Sequence, residues 1–200
     1  MSLSILVVCT GNVCRSPLAE QLLAARLATA GIDASVSSAG TAALVGQGMP
    51  QEASALSLRY GGVPDLHVAR QLTESLIDDA DLVLTASREH RAAVASLVPR
   101  SARRAYTLAE FARIAEFLES SSEGAESLAS VASPLDVIDA ISMNRGFAAP
   151  PAQPADDDII DPYGRPAEIY EESARVIDAA VTAVVRALST ASRLGSRGAA

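Results

Sequence analysis

The chain has 200 residues, with 24 acidic and 16 basic side chains, and its formal net charge is −8 at pH 7. An acidic protein of this kind is not expected to bind nucleic acid or an anionic membrane as a general partner. All the basic residues are arginine, and the absence of lysine excludes a nucleotide-binding loop of the GxxxxGK[ST] type. No apolar stretch approaches the ~20 residues that a membrane-spanning helix needs. The length suits one domain with a substantial core.

The first predicted element is a short apolar run at residues 3–8 with almost no alternation, which is typical of a strand covered on both faces. Ser16 and Pro17 then begin a predicted helix at about 17–29. The loop between them contains Gly11 and Asn12, the residue types that best tolerate unusual backbone angles. A strand, a tight loop and a helix N-terminus together predict an anion site, because free N–H groups and the helix dipole converge there.

The same loop carries a thiol at Cys9 and a guanidinium at Arg15. A thiol in an electropositive loop is suited to act as a nucleophile, and a guanidinium can hold two phosphate oxygens in a bidentate fork. A lone cysteine after a strand is equally well explained as a small core residue, so Cys9 by itself does not decide the function. The two cysteines and two histidines lack the spacing of a zinc site, and we expect no metal and no cofactor. The first residues show no signal-peptide pattern, so we expect a cytoplasmic protein.

Farther along the chain, predicted strands alternate with predicted helices. A second strand at 33–38 precedes a helix near 50–60, and a third strand at 81–84 precedes a helix at 90–97. A fourth, more exposed strand is predicted at 104–107. This order indicates an α/β fold: a single domain with a four-stranded parallel sheet, helices on both faces, and the phosphate loop after the first strand. Ligands of such sheets bind beyond the carboxyl ends of the strands, where this loop lies.

The region at about 113–157 is less regular. Residues 120–124 are predicted to be a linker, Ser133 and Pro134 to begin a helix, and residues 148–154 to form an extended proline-rich loop. We expect this enlarged region to be either an inert surface insertion or a specificity loop.

Helical spacing of apolar residues predicts the last helix at 167–188. The domain is therefore expected to span 1–188, followed by a flexible C-terminal tail at 189–200 that has little to bury.

The stretch Cys9-Thr-Gly-Asn-Val-Cys-Arg-Ser-Pro17 resembles the signature loop of the low-molecular-weight protein tyrosine phosphatases, a CX5R motif near the N-terminus. Three further stretches resemble that family in the same order: Ser37-Ser-Ala-Gly-Thr41, the segment His67–Thr73 followed by Asp81–Leu84, and Asp161-Pro-Tyr163. The resemblance implies a phosphoric monoester hydrolase that dephosphorylates tyrosine in proteins and releases inorganic phosphate. It implies protein substrates, such as a bacterial tyrosine kinase.

The resemblance also implies roles for particular residues. Cys9 would be the nucleophile that forms a cysteinyl-phosphate, Arg15 the phosphate clamp, and Asp161 the general acid and then base. Asp161 is preferred over Asp158 of the neighbouring acidic run because a Pro-Tyr pair follows it, as in the family. The phosphate-binding residues would be those of the loop: Thr10, Gly11, Asn12, Val13, Cys14, Arg15 and Ser16.

Supporting positions follow from the same resemblance. Ser16 would donate to the Cys9 thiolate, and Asn12 would hold a strained loop conformation through bonds to Ser38 and His67. Met49 and Tyr163 would line the rim of the cleft. His90, on a helix expected to be exposed, would have no role.

Several alternatives remain open at this point. Arginine-specific relatives carry threonine where this chain has Val13, so Val13 favours phosphotyrosine over phosphoarginine. An arsenate reductase shares the loop but needs cysteines beyond Cys9 and Cys14 to pass on a disulfide. A phosphate-binding module without turnover would not need both Cys9 and Asp161. Finally, Cys14 is expected either to capture oxidised Cys9 as a disulfide or simply to pack against the first helix.

Overall fold

The computed structural model describes residues 2–129 and 131–195. In this part of the chain the strands are β1 (Leu3–Cys9), β2 (Ala34–Gly40), β3 (Leu82–Thr85) and β4 (Ala105–Thr107). The helices are α1 (Arg15–Thr29), α2 (Gln51–Arg59), α3 (Glu74–Asp78), α4 (Arg88–Leu97), α5 (Leu108–Ser120), α6 (Ser122–Ala129), α7 (Pro134–Asn144) and α8 (Ala167–Gly195). Short 3-10 turns lie at Pro64–Leu66, Pro99–Arg103 and Pro154–Asp157.

The four strands form one parallel sheet in the order β2-β1-β3-β4, so the predicted fold class is confirmed. Alternate side chains of β1 enter two separate cores, one on each face. Ile5 and Val7 pack into the larger core with α1, α5 and α8, whereas Leu6 and Val8 pack into the smaller core with α3 and α4. Because β1 is covered on both faces, its apolar run does not alternate.

In the middle of the chain one prediction was wrong and one helix was missed. The strand β4 is fully buried rather than exposed, because Arg145 lies over the Tyr106 ring, 4.2 Å from its centroid, and Phe111 packs edge-on against that ring. The helix α5 was not predicted. It begins with a capping box in which Thr107 accepts from the Glu110 backbone and the Glu110 side chain accepts from the Thr107 backbone.

The region at 113–157 is mainly helical. The predicted linker at 120–124 is largely the start of α6, whereas α7 begins after Ser133 as expected, with a capping box to Asp136. Apolar residues of α5 to α7, such as Ile114 and Ile141, join the larger core, so this region is built into the fold. Burial of these side chains explains why the helices form despite the polar residues between them.

The last helix, α8, continues to Gly195, beyond the predicted end at 188. The predicted tail is therefore helical as far as residue 195, and its remainder at 196–200 lies outside the described residues. Of the helices in the described part of the chain, none combines the length and the apolar character needed to cross a bilayer.

Candidate active site

The loop between β1 and α1 lies at the carboxyl edge of the sheet, beside the end of β2. The segment after β2 runs along this loop and donates to its carbonyl groups: Thr41 to Cys9 at 2.9 Å, Ala42 to Thr10 at 3.0 Å and Leu44 to Gly11 at 3.0 Å. These three bonds hold the carbonyl side of the loop against the segment that follows β2.

A glycine is needed where the two segments approach. A Cβ atom at Gly40 would lie 2.3 Å from the Thr10 carbonyl oxygen, a distance that real side chains do not adopt. The Ser-Ala-Gly stretch therefore permits the close approach of β2 to the loop, and any larger residue at position 40 would push the two apart.

The Cys9 thiol is 2% exposed and lies at the bottom of the loop. Its Sγ atom is 3.0 Å from the Ser16 hydroxyl and accepts the backbone N–H of Asn12 at 3.3 Å. Two donors around one sulfur stabilise a thiolate, which is the form that attacks phosphorus. The structure therefore brings Ser16 to Cys9 as expected.

Asn12 adopts the left-handed conformation, with φ of 55°, and is completely buried. Its Nδ2 donates to Ser38 at 2.7 Å and to Ser16 at 2.9 Å, and its Oδ1 accepts from the Arg70 backbone at 2.9 Å. His67 Nε2 lies 2.6 Å from its carbonyl oxygen. The contacts to Ser38 and His67 were predicted. Gly11, the other residue expected to need unusual backbone angles, does not adopt a positive φ.

The Arg15 guanidinium is 6% exposed and is held by three groups. Its Nη1 donates to the Ile159 carbonyl at 3.2 Å, and its Nη2 lies 3.4 Å from the Thr10 hydroxyl and 2.7 Å from the Asp161 carboxylate. Its buried Nε–H has no hydrogen-bond partner. An unpaired buried donor is costly, and here it lies in the loop that is expected to bind an anion.

The acidic run before Asp161 is not a free source of protons. Asp157 pairs with Arg113 at 3.0 Å, and Asp158 pairs with Arg88 at 2.7 Å. The Arg88 contact holds the pKa of Asp158 below its usual value. Of these three carboxylates, Asp161 is the one that reaches the loop, so the preference for Asp161 over Asp158 is supported by geometry.

A cleft of about 150 Å³ opens above the loop. Apart from loop residues it is lined by Ala42, Leu44, Asp161 and Tyr163. Sequence reasoning missed Ala42 and Leu44, because nothing in their residue types reveals that this segment follows the loop. Met49 lies with Tyr163 in an adjoining groove instead, where its thioether accepts from Gln21 at 3.3 Å.

His90 was predicted to be exposed, and this was wrong. Its side chain is 4% exposed, with Nε2 2.8 Å from the Thr10 hydroxyl and Nδ1 2.7 Å from the Ser87 hydroxyl. Burial and then the positive charge of Arg15 lower the pKa of His90 to about 4.

Cys14, the second cysteine of the loop, is buried. Burial, followed by the negative charges of Cys9 and Asp161, raises its pKa to about 12, and it contacts the Tyr170 hydroxyl. The Cys14 thiol is therefore protonated at neutral pH, and binding of phosphate by the backbone N–H of Cys14 stays a prediction.

Comparisons with known proteins agree with this geometry. The family model of the low molecular weight phosphotyrosine protein phosphatases matches residues 4–123. The probable low molecular weight protein-tyrosine-phosphatase AmsI of Erwinia amylovora is 42% identical over 87 residues, which are 44% of this chain and 58% of that protein. The protein-arginine-phosphatase of Bacillus subtilis is 37% identical over 110 residues, 54% of this chain and 72% of that protein.

The agreement extends to structure. The crystal structure of the Erwinia amylovora tyrosine phosphatase AmsI matches with a TM-score of 0.67 and 26% identity, covering 94% of each chain. The family model ends at residue 123, before Asp161, whereas this structural match covers nearly the whole chain. The predicted resemblance is confirmed: the chain belongs to the low molecular weight phosphotyrosine protein phosphatase family.

Proposed function

We propose that this protein hydrolyses phosphotyrosine in proteins through a cysteinyl-phosphate intermediate. The observation that carries the proposal is the set of donors around one sulfur. Cys9 lies among the Ser16 hydroxyl, the Asn12 N–H and the loop of Arg15, whose Nε–H is unpaired. This is a site built for a tetrahedral anion next to a nucleophile.

In the first step the substrate phosphate occupies the loop, with the Arg15 guanidinium across its oxygens. The Cys9 thiolate attacks phosphorus in line, the bond to the phenolic oxygen breaks, and Asp161 gives its proton to that oxygen. Asp161 pairs with Arg15 at 2.7 Å in the free protein, where it is a carboxylate. The arriving phosphate takes over Arg15 and releases Asp161, which takes up a proton from solvent and can then serve as the acid.

In the second step a water molecule attacks the phosphorus of the cysteinyl-phosphate. Asp161, now a carboxylate, accepts the proton of that water, the S–P bond breaks, and inorganic phosphate leaves with Cys9 again a thiolate. Positioned acid–base groups of this kind typically contribute ~10²–10⁴-fold to the rate.

The apolar lining of the cleft supports an aromatic leaving group. Val13, Ala42 and Leu44 offer only carbon atoms to the substrate, and the Tyr163 ring is half exposed beside Asp161. A phenyl ring fits between such surfaces. Protein substrates such as a bacterial tyrosine kinase, and a cytoplasmic location, remain predictions.

Phosphoarginine is the second candidate substrate, because one of the relatives is a protein-arginine-phosphatase. At Val13 a threonine would bring a hydroxyl that can bind a guanidinium, whereas valine cannot. Burying that hydroxyl without a partner costs roughly 1–3 kcal/mol, so the side chain at position 13 is expected to select the substrate.

The test compares kcat/KM for a phosphotyrosine peptide and a phosphoarginine peptide of the same sequence, in the wild type and in Val13→Thr. We expect the wild type to prefer phosphotyrosine and Val13→Thr to lose part of that preference. Cys9→Ser is the control, since it should bind phosphate without turnover. If the wild type cleaves phosphoarginine faster than phosphotyrosine, phosphoarginine replaces phosphotyrosine as the proposed substrate.

A further inference from the structure

His90 is a buried, titratable side chain that the proposed mechanism does not use. It lies in the first turn of α4, 4% exposed, at the same edge of the sheet as the phosphate loop. A buried imidazole needs hydrogen-bond partners, and here both ring nitrogens have one.

These partners connect the helix to the phosphate clamp. His90 Nε2 lies 2.8 Å from the Thr10 hydroxyl, and that hydroxyl also lies 3.4 Å from Arg15 Nη2. On the other side, Nδ1 lies 2.7 Å from Ser87, the residue that caps α4. The imidazole ring therefore connects Ser87, at the start of α4, with Thr10 in the phosphate loop.

The contacts of Arg15 show why this bridge matters. In the free protein the guanidinium is held by Asp161, by the Ile159 carbonyl and by Thr10. Once the substrate displaces Asp161, the Ile159 carbonyl and the Thr10 hydroxyl are the described protein contacts that still orient the guanidinium. The Thr10 hydroxyl can rotate unless a second group fixes it, and His90 is that group.

We propose that His90 is a positioning residue that orients Arg15 through the Thr10 hydroxyl. The proposal rests on the proposed function, because an oriented Arg15 serves phosphate binding and transfer. Either tautomer of a neutral imidazole can hold the hydroxyl, as acceptor or as donor.

The surroundings keep the imidazole neutral. Burial and the Arg15 charge lower the pKa of His90, and the carboxylates of Asp161 and Asp158 oppose this only in part. A second positive charge beside Arg15 is therefore avoided at neutral pH, so the guanidinium remains the cation that meets the phosphate.

The experiment measures the dissociation constant of inorganic phosphate, by titration without turnover, in four variants: His90→Phe, Thr10→Val, the double variant, and Val94→Ala. We expect each of the first two variants to weaken phosphate binding by about 3- to 10-fold, because each breaks the hydrogen-bonded connection from His90 through Thr10 to the charged Arg15. The double variant should bind no more weakly than Thr10→Val, because His90 acts only through that hydroxyl.

Val94→Ala is the matched control, since it removes buried carbon from the same helix on the side of the smaller core. It should lower the melting temperature without changing phosphate affinity. Unchanged affinity in a folded His90→Phe, or additive losses in the double variant, would overturn the proposal. If the wild type binds phosphate but turns over no aryl phosphate, the proposed function fails while this test stands.

A second measurement covers the case in which His90→Phe does not fold. The imidazole nitrogen resonances of His90 should shift when phosphate binds to the wild type and should stay unchanged in Thr10→Val. Resonances that do not respond in the wild type would contradict the bridge.

Discussion

Lowering the pH from 7 to 5 should destabilise this protein, and His90 should account for much of the loss. In the unfolded chain this imidazole takes up a proton near its ordinary pKa of 6.5, whereas in the folded protein burial and the Arg15 charge lower its pKa to about 4. Between those values the unfolded state binds more protons than the folded state. The free energy of unfolding therefore has its full His90 contribution above pH 6.5 and loses it as the pH falls toward 4.

The size of the effect follows from the two pKa values. At pH 5 the unfolded imidazole is almost fully charged and the folded one almost fully neutral, which amounts to about 2 kcal/mol relative to pH 7. The pKa of Asp158 is lowered by its Arg88 contact. That carboxylate, which lies near His90, therefore titrates below this window and does not obscure the His90 contribution.

The assay is urea unfolding at both pH values for the wild type, His90→Gln and Val94→Ala. We expect His90→Gln to lose about 2 kcal/mol less than the wild type between pH 7 and pH 5. Val94→Ala should lose as much as the wild type, because it lowers stability without removing a titrating group. Equal losses in the wild type and His90→Gln would refute the reasoning.

Three further predictions concern other parts of the molecule. Asp161→Asn should slow poor leaving groups far more than activated aryl phosphates, since only the former need a proton; equal slowing in steady-state assays would place the acid elsewhere. Burial and, after it, the Cys9 charge raise the pKa of Cys14, and oxidation of Cys9 to a sulfenic acid removes the second of these causes. The Cys14 thiol should then react with the Cys9 sulfenic acid to form a disulfide, with release of water. After peroxide treatment a dithiol should restore the activity of the wild type but not that of Cys14→Ala, and full recovery of Cys14→Ala would exclude this role. Glu110 bridges Arg91 and Arg145 at 2.8 Å each. Glu110→Ala should lower the free energy of unfolding in urea by about 2–4 kcal/mol, whereas the exposed Glu116→Ala should lower it by almost nothing. Similar losses in both variants would contradict a buried bridge.

Local patterns were sufficient to predict the sheet and the position of the anion-binding loop, whereas the roles of the loop residues came from the family resemblance. The apolar run of β1 and the proline at the start of α1 give the order of elements, and a tight loop between them can hold Cys9 and Arg15 in only a few ways. The contacts of Asn12 to Ser38 and His67 followed from the family resemblance. These features depend on residues whose chemistry leaves few alternatives.

Long-range packing was harder to predict. His90 lies on a helix whose polar residues suggest exposure. It is buried because the fold brings it to Thr10, which is 80 residues away in the sequence. Leu44 and Ala42 line the cleft because Gly40 allows close approach, which no periodicity reveals. The helix α5 did carry a signal, the Thr107 to Glu110 capping box, but its burial depends on α8.

The central claim is that catalysis proceeds through a phosphoryl group on Cys9. The most direct test is a rapid acid quench of the protein during turnover of an aryl phosphate, followed by mass spectrometry of its peptides. The mechanism predicts one phosphoryl group on the peptide that contains Cys9, formed in a burst, and none in Cys9→Ala. Turnover with no phosphorylated Cys9 at any time, or turnover that survives Cys9→Ala, would contradict it.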